Sequence, residues 1–170
     1  NSTTVDGATT LFADPVLVNG EDGKFHIASY DDLLLFKKMV NEKGMNFSGE
    51  TVVLDADISC TETWTAAIGP FHGTFDGNNK TISNLKVNAT ANYAGLFGCV
   101  FGAKIKDLYL VGAVVSTTGE NYAGALVGGG YAHIENCSVT GGSVTGVDQV
   151  GGVIGYLSCG SVKNCTVDGV

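Results

Sequence analysis

The phrase Ile105-Lys-Asp-Leu-Tyr-Leu110 returns as Ile134-Glu-Asn-Cys-Ser-Val139 and again as Val162-Lys-Asn-Cys-Thr-Val167. A similar phrase stands upstream, at Ile82-Ser-Asn-Leu-Lys-Val87. All four place apolar residues at the first, fourth and sixth positions and Asn or Asp at the third. The sequence therefore predicts an internal repeat with a period near 28 residues.

Glycine phrases recur at the same spacing, since Gly95, Gly124 and Gly152 follow one another at intervals of 29 and 28 residues. Short segments rich in Val, Ile and Leu lie between glycines, which is typical of strands. One such unit cannot bury its apolar face alone, whereas coils stacked about 4.8 Å apart bury a continuous column. We therefore expect an all-β fold, a right-handed parallel β-helix with three parallel sheets.

The repeated phrase also predicts a bend in each coil. Its apolar positions 105, 108 and 110 break the strict alternation of a flat strand, so one extra residue must turn the chain at Asp107. Asn and Asp tolerate bent backbone and hydrogen-bond it locally. We expect a structural ladder at this corner rather than a row of binding residues. Its four predicted members are Asn84, Asp107, Asn136 and Asn164.

The N-terminal part differs from the repeats. Residues 31–41 predict a helix, because Ser29 can cap it and Leu33, Phe36 and Val40 share one face. We expect this helix, with a strand at residues 24–28, to cover the N-terminal end of the solenoid; a helix that docks on a partner is the alternative. The predicted domains are an N-terminal extension with the capping helix at 1–50 and β-helix coils at 51–170, with repeats at about 93–121, 122–149 and 150–170.

Composition excludes several classes of protein. The chain has 170 residues, nine lysines against seventeen carboxylates and a formal net charge of −8. Nucleic-acid binding needs a basic stripe, and anionic membranes attract basic segments, so neither partner is expected. Asn1 opens a Ser/Thr-rich stretch, and we expect that a signal peptide has been removed and that the protein is extracellular or at the cell surface.

Several phrases follow one another in a specific order: the helix, Leu54-Asp-Ala-Asp-Ile-Ser59, Trp64, residues 66–87, Tyr93-Ala-Gly-Leu-Phe-Gly98 and Val150-Gly-Gly-Val-Ile-Gly155. This order resembles the GLUG-motif repeats of bacterial cell-surface proteins. The Gly-Leu-hydrophobic-Gly core is present at residues 95–98, and the later copies are looser. The resemblance implies a secreted or wall-anchored module of the kind described as adhesins, and it carries no catalytic residues over.

Three carboxylates form a candidate calcium-binding or catalytic site. Asp55 and Asp57 alternate with apolar residues, so both should lie on one outer face with Asp76 near them. Such a group could bind calcium or act as an acid/base pair, but a solvent face that keeps the protein soluble is the favoured interpretation. Zinc, P-loop and serine-hydrolase motifs do not occur. We expect no catalytic residues, no metal and no cofactor.

Aromatic residues offer a possible ligand surface. Tyr93, Tyr109, Tyr122 and Tyr131 lie in the repeats and could hold sugar rings, although packing of the aromatic rings is the favoured interpretation. Cys137 and Cys165 share a register, and stacked free thiols are favoured over a disulfide because the two side chains should point the same way.

These patterns favour a non-enzymatic adhesin or rigid stalk module that binds glycan or host protein. The alternatives are a fragment of a β-helical enzyme that acts on acidic polysaccharide, with Asp55, Asp57 and Asp76 as its acids, and a pure structural spacer. Val170 falls partway through a coil. We therefore expect either further repeats or self-association through that edge.

Overall fold

The computed structural model describes residues 2–5, 9–12, 15–119 and 121–170. Strand makes up 55% and helix 8%. The elements up to the first complete coil are β1 (Ser2–Val5), β2 (Thr9–Phe12), β3 (Phe25–Ile27), α1 (Tyr30–Asn41), β4 (Thr51–Leu54), β5 (Ile58–Ser59) and β6 (Thr63–Trp64). The later strands are β7 (Thr74–Ser83), β8 (Lys86–Ala89), β9 (Tyr93–Ala94), β10 (Phe97–Thr117), β11 (Tyr122–Gly124), β12 (Val127–Glu135), β13 (Ser138–Thr145), β14 (Val150–Gly151), β15 (Ile154–Lys163) and β16 (Thr166–Asp168).

The strands stack in parallel as a solenoid of about five turns. The longest path runs in the order β3, β4, β7, β10, β12 and β15, and each neighbouring pair is parallel. Strands β9, β11 and β14 form a separate parallel sheet, and β1 and β2 pair antiparallel. The prediction of a parallel β-helix with one helix near its N-terminus is confirmed.

Identical positions of successive coils form the core. Val52, Phe75, Ile105 and Ile134 are aligned Cα partners on neighbouring strands, and all four side chains are fully buried. Burying one large apolar side chain stabilises a fold by about 1.5–3 kcal/mol. The four side chains of this column therefore make a substantial contribution to the stability of the stacked coils.

Helix α1 begins at its predicted cap. Ser29 Oγ accepts a hydrogen bond from the Asp32 amide at 3.1 Å, and Asp32 Oδ2 in turn accepts one from the Ala28 amide at 2.9 Å. This reciprocal pair satisfies amide groups that the helix cannot satisfy itself. On the buried face, the Phe36 ring packs against Phe75 and Phe97 with centroid separations of 5.8 and 6.3 Å. The helix therefore closes the core of the first coils.

Each coil bends where the sequence predicts an extra residue. Asp107, Asn136 and Asn164 have left-handed φ angles of 53°, 53° and 50°, and the register between β10 and β7 shifts between Lys106 and Leu108. Strand β10 therefore continues through the corner rather than ending there. Side-chain oxygens next to the backbone make Asn and Asp the most tolerant residues, after glycine, of this conformation.

Two details of the predicted register are wrong. Asn84 lies opposite Gly112, because Ser83 pairs with Val111 and Lys86 with Val114; it therefore occupies a second corner. Gly124 pairs with Gly151 and not with Gly152, since the coil between β11 and β14 is one residue shorter than the period assumed.

Candidate functional site

Three tyrosines form a column on the outside of the solenoid. The Tyr122 ring lies 5.1 Å from the Tyr93 ring and 4.9 Å from the Tyr156 ring, measured between centroids. These separations match the spacing of about 4.8 Å between neighbouring coils. Tyr93 and Tyr122 are direct strand partners, whereas Tyr156 reaches the column from β15. We call these three residues the tyrosine column.

Glycines beneath the rings make room for the column. A Cβ atom on Gly129 would lie 3.3 Å from Cε1 of Tyr93 and 3.3 Å from Cβ of Tyr156. A Cβ atom on Gly128 would lie 2.6 Å from the Gly98 carbonyl oxygen and 2.9 Å from the Ala94 amide nitrogen, both backbone atoms that cannot move aside. The last glycine of the Gly-Leu-hydrophobic-Gly phrase is therefore required by close backbone approach.

A pocket of about 340 Å³ opens at the N-terminal end of the tyrosine column. All its lining residues are uncharged. They are Asn41, Ala66, Ala67, Gly69, Ala91, Tyr93, Gly98 and Cys99. We call this the Tyr93 pocket.

Small side chains on the preceding coil create the pocket. Ala67 lies on the preceding coil near Tyr93, because a Cβ atom on Gly98 would lie 3.2 Å from Cβ of Ala67 and 3.4 Å from Cβ of Tyr93. The side chain of Asn41, at the end of α1, fixes this segment: Nδ2 donates to the Ala67 carbonyl at 2.8 Å and Oδ1 accepts from the Gly69 amide at 3.0 Å. These two bonds hold the backbone on one side of the pocket.

A second aromatic row lies on another face. Phe101 and Tyr131 are Cα partners on β10 and β12, and their side chains are 52% and 41% exposed. The His72 ring lies 5.4 Å from Phe101, and the His133 ring 5.6 Å from Tyr131. We call His72, Phe101 and Tyr131 the outer aromatic row. Exposed rings in register form a continuous patch that packing of the core does not require.

The four tyrosines predicted as ligand contacts are thus divided among three places. Tyr93 and Tyr122 lie together, and Tyr131 belongs to the outer aromatic row. Tyr109 lies farther along β10, beyond the Asp107 corner, where it pairs with Thr81 and Ser138 and its side chain is 38% exposed. The repeat period does not predict Tyr156, because this residue lies 34 residues after Tyr122. It does not predict Phe101 either, because the alignment of Phe101 with Tyr131 requires Gly102 as an extra residue in β10.

The predicted carboxylates all have local partners. Asp57 Oδ1 accepts a hydrogen bond from the Thr81 amide at 2.8 Å, and Asp76 Oδ1 accepts one from the Asn78 amide at 2.8 Å. Asp76 also lies 3.4 Å from the Lys106 ammonium. Asp55 bonds the His26 ring. Within residues 15–119 and 121–170, where side chains are described, no three His, Cys, Asp or Glu residues are arranged to hold a metal ion.

His26 lies between two carboxylates. Its Nδ1 is 2.9 Å from Asp55 Oδ1 and its Nε2 is 2.9 Å from Asp22 Oδ2. Hydrogen bonds first to Asp55 and then to Asp22 raise the pKa of the imidazole above its ordinary value. The bond to His26 lowers the pKa of Asp22. This triad ties the turn before β3 to the end of β4.

Three of the four predicted ladder residues meet at one corner. Asn136 Nδ2 donates to Asp107 Oδ1 at 3.1 Å, and Asn164 Nδ2 donates to Asn136 Oδ1 at 3.4 Å. Asn84, at its separate corner, donates instead to Ser59 Oγ at 3.2 Å. Charge pairing follows the same coils, because the Lys104 ammonium lies 2.9 Å from Glu135.

All five cysteines are free thiols. Cys60 and Cys137 are buried, Cys99 and Cys165 are partly buried, and Cys159 is exposed. Of the two thiols predicted to stack, Cys137 is therefore buried, whereas Cys165 is only partly buried.

The comparisons with known proteins agree with this architecture. A family model described as the GLUG motif matches residues 119–145. Halomucin from Haloquadratum walsbyi (strain DSM 16790 / HBSQ001) is 34% identical over 151 residues, which are 81% of this chain and 2% of halomucin. The chain thus spans a very small part of that relative. No solved structure matches the chain.

In the part of the chain that the structure describes, no helix has the length and apolar character needed to cross a membrane. The GLUG motif identifies this part of the chain as a repeat module. Residues 119–145 extend from the loop before β11 to the end of β13, which is one full turn of the solenoid. The chain is therefore a parallel β-solenoid that carries the GLUG motif.

Proposed function

We propose that the chain is a rigid adhesin module, secreted or displayed at the cell surface, that binds glycan or host protein through aromatic side chains on its outer faces. The observation that carries this proposal is the outer aromatic row. Phe101 is 52% exposed and directly beside Tyr131 on the neighbouring coil. Aromatic residues supply large contact area at low conformational cost and are enriched where proteins bind partners.

The rigid frame supports the same role. Two members of the outer aromatic row, Phe101 and Tyr131, lie on β10 and β12. The inward side chains of these strands, such as Ile105 and Ile134, are fully buried. A ligand that contacts the row would therefore meet residues already held in place, and binding would cost little ordering of the protein.

The state of the carboxylates favours binding over catalysis. Catalytic acids need a position facing substrate and a pKa matched to proton transfer. Here Asp57 and Asp76 accept backbone amide hydrogen bonds, and Asp55 is bonded to His26. These contacts give the three side chains structural roles, which supports an adhesin over an enzyme that acts on acidic polysaccharide.

A glycan array with the 170-residue chain tests the proposal, with hydrolysis products measured in the same wells and a panel of host matrix proteins in parallel. We expect binding without cleavage, and we expect Phe101→Ser or Tyr131→Ser to weaken it while the unfolding midpoint stays near that of the wild type. Tyr109→Ser, beyond the Asp107 corner of β10, is the matched control. Cleavage products, or silence on both panels, would contradict the proposal.

A further inference from the structure

We infer that the Tyr93 pocket binds one neutral sugar ring, which stacks on the Tyr93 phenol and hydrogen-bonds the Asn41 amide. This inference rests on the proposed function, because it names a ligand class and a position for the glycan contact. It also adds a site separate from the outer aromatic row.

The stacking geometry leaves one ring face for a ligand. Tyr122 lies between Tyr93 and Tyr156, at 5.1 and 4.9 Å, so both of its faces are occupied. Tyr93 stacks on Tyr122 at the end of the column and also lines the pocket. Ala67, on the preceding coil, contributes only a methyl group to the lining. A ligand ring in the pocket beside Tyr93 would extend the column.

The polar group of the pocket is fixed in advance. A side-chain amide has two N–H donors and a carbonyl oxygen with two lone pairs. Asn41 uses one donor on the Ala67 carbonyl and one lone pair on the Gly69 amide. One donor and one lone pair therefore remain, at the rim of an otherwise apolar pocket. Because two hydrogen bonds hold the amide, a ligand gains its contacts without having to order the side chain.

The lining selects a neutral ligand with one apolar face and one polar edge. None of the lining residues is charged, and the chain's net charge of −8 disfavours anions. A volume of about 340 Å³ is at the lower end of the range of about 300–1,000 Å³ for small-molecule sites, which suits a single ring. A pyranose presents C–H groups on its face and hydroxyls on its edge. An aromatic side chain would fill the same gap but would make no use of the remaining Asn41 donor and lone pair.

Saturation-transfer NMR with the 170-residue chain tests the inference directly. The probes are methyl glucoside, methyl galactoside, methyl mannoside and N-acetylglucosamine, with N-acetyltryptophanamide as the aromatic comparison. We expect at least one sugar to bind in the millimolar range, as small neutral ligands do. Tyr93→Leu should remove the stacking face. Ala67→Phe should fill the gap while leaving Tyr93 in place. Both should weaken binding at least about 10-fold, and the control Tyr109→Ser should not.

A second measurement does not depend on the folding of a variant. Cys99 lines the pocket, so a bound sugar should slow its alkylation in the wild-type chain, measured by peptide mass spectrometry, without changing the rate at Cys159. Sugar binding that survives Ala67→Phe and leaves Cys99 unprotected would overturn the pocket inference and leave the proposed function standing. Failure of every sugar here together with silence on the glycan array and the protein panel would overturn both. Binding of N-acetyltryptophanamide alone would overturn the assignment of a sugar.

Discussion

Asn136 Nδ2 donates a hydrogen bond to Oδ1 of Asp107, one coil earlier, at 3.1 Å, and both residues have a φ angle of 53°. Asn136 therefore serves the corner in two ways: its residue type tolerates left-handed backbone, and its side-chain amide donates a hydrogen bond to the neighbouring coil. Asn164 repeats the arrangement on the next coil. The ladder is therefore part of how the solenoid turns its corner.

Two substitutions of Asn136 separate the contribution of the backbone conformation from that of the hydrogen bond. Leucine in left-handed backbone is strained by about 1–2 kcal/mol, and the lost hydrogen bond adds about 1 kcal/mol. We expect Asn136→Leu to lower the free energy of unfolding by about 2–3 kcal/mol in urea titrations. Asn136→Gly keeps the backbone conformation and should lose about 1 kcal/mol. Equal stability of the leucine variant and the wild type would remove the ladder from the account of the fold.

The bend at this corner could be predicted from sequence, whereas the membership of Asn84 could not. The phrase at residues 82–87 has the same order of apolar and polar positions as the phrase at 105–110. The structure uses that order at two different corners, opposite Gly112 in one case and beside Asn136 in the other. Both corners need one residue in left-handed backbone between buried neighbours, so one local pattern fits both.

The aromatic contacts were only partly predictable for a similar reason. Tyr93 and Tyr122 follow the repeat period and could be paired from the sequence. Tyr156 stacks on Tyr122 although the register places Gln149, the residue just before β14, opposite Tyr122, since Ala123 pairs with Val150. A long side chain can make a contact from another strand, and the repeat period of the backbone does not predict such a contact. The Tyr93 pocket likewise depends on the small side chain of Ala67, which lines it.

Gly128 tests the close backbone approach of the Gly-Leu-hydrophobic-Gly phrase. A methyl group there would lie 2.6 Å from the Gly98 carbonyl oxygen and 2.9 Å from the Ala94 amide nitrogen. Because both neighbours are backbone atoms, the coils must separate. We expect Gly128→Ala to lower the unfolding free energy by at least about 2 kcal/mol, comparable to overpacking a core.

Gly141 is the matched control for this substitution. It occupies the corner that Asn84 and Gly112 occupy on earlier coils, with a φ angle of 63° and open space where a Cβ would be. Asn tolerates this conformation, so Gly141→Asn should leave the urea midpoint nearly unchanged. If the two variants were equally destabilised, the cost would lie in glycine loss generally and not in the packing of the phrase.

His26 predicts a specific dependence of stability on pH. Its pKa is raised above 6.5 in the folded chain, chiefly by the Asp55 and Asp22 hydrogen bonds. The protonated form is thus favoured by folding. This contribution is complete below pH 6.5 and is lost as the pH rises through the raised pKa. Asp22 behaves oppositely: its pKa is lowered from 3.8, so its contribution disappears as the pH falls below that value.

Thermal unfolding of the wild type and His26→Gln between pH 5 and 9 measures this effect. The melting temperature of the wild type should fall on passing from pH 6 upward, and the fall should be absent or smaller in His26→Gln. His72→Gln, whose ring lies against Phe101, should keep the wild-type profile. Parallel profiles for wild type and His26→Gln would show that the two carboxylates do not couple to folding.

The free thiols report on the integrity of the coils. Burial raises the pKa of Cys60 to about 11 and that of Cys137 to about 12. Compared with the ordinary value of 9.0, a pKa of about 11 lowers the reactive thiolate fraction about 100-fold near pH 8. Cys60 should therefore react with iodoacetamide at least about 100-fold more slowly in the folded chain than in urea, and Cys137 more slowly still.

Cys159 supplies the internal reference, because its side chain is exposed on the same chain. Peptide mass spectrometry at several times of reaction should show Cys159 labelled first, and in urea all five thiols should react at similar rates. Labelling of Cys137 at the rate of Cys159 under native conditions would mean that the coil containing β13 opens often. Since the Asp107–Asn136 ladder adjoins Cys137, Asn136→Leu should increase that opening and raise the labelling rate at Cys137 more than at Cys60.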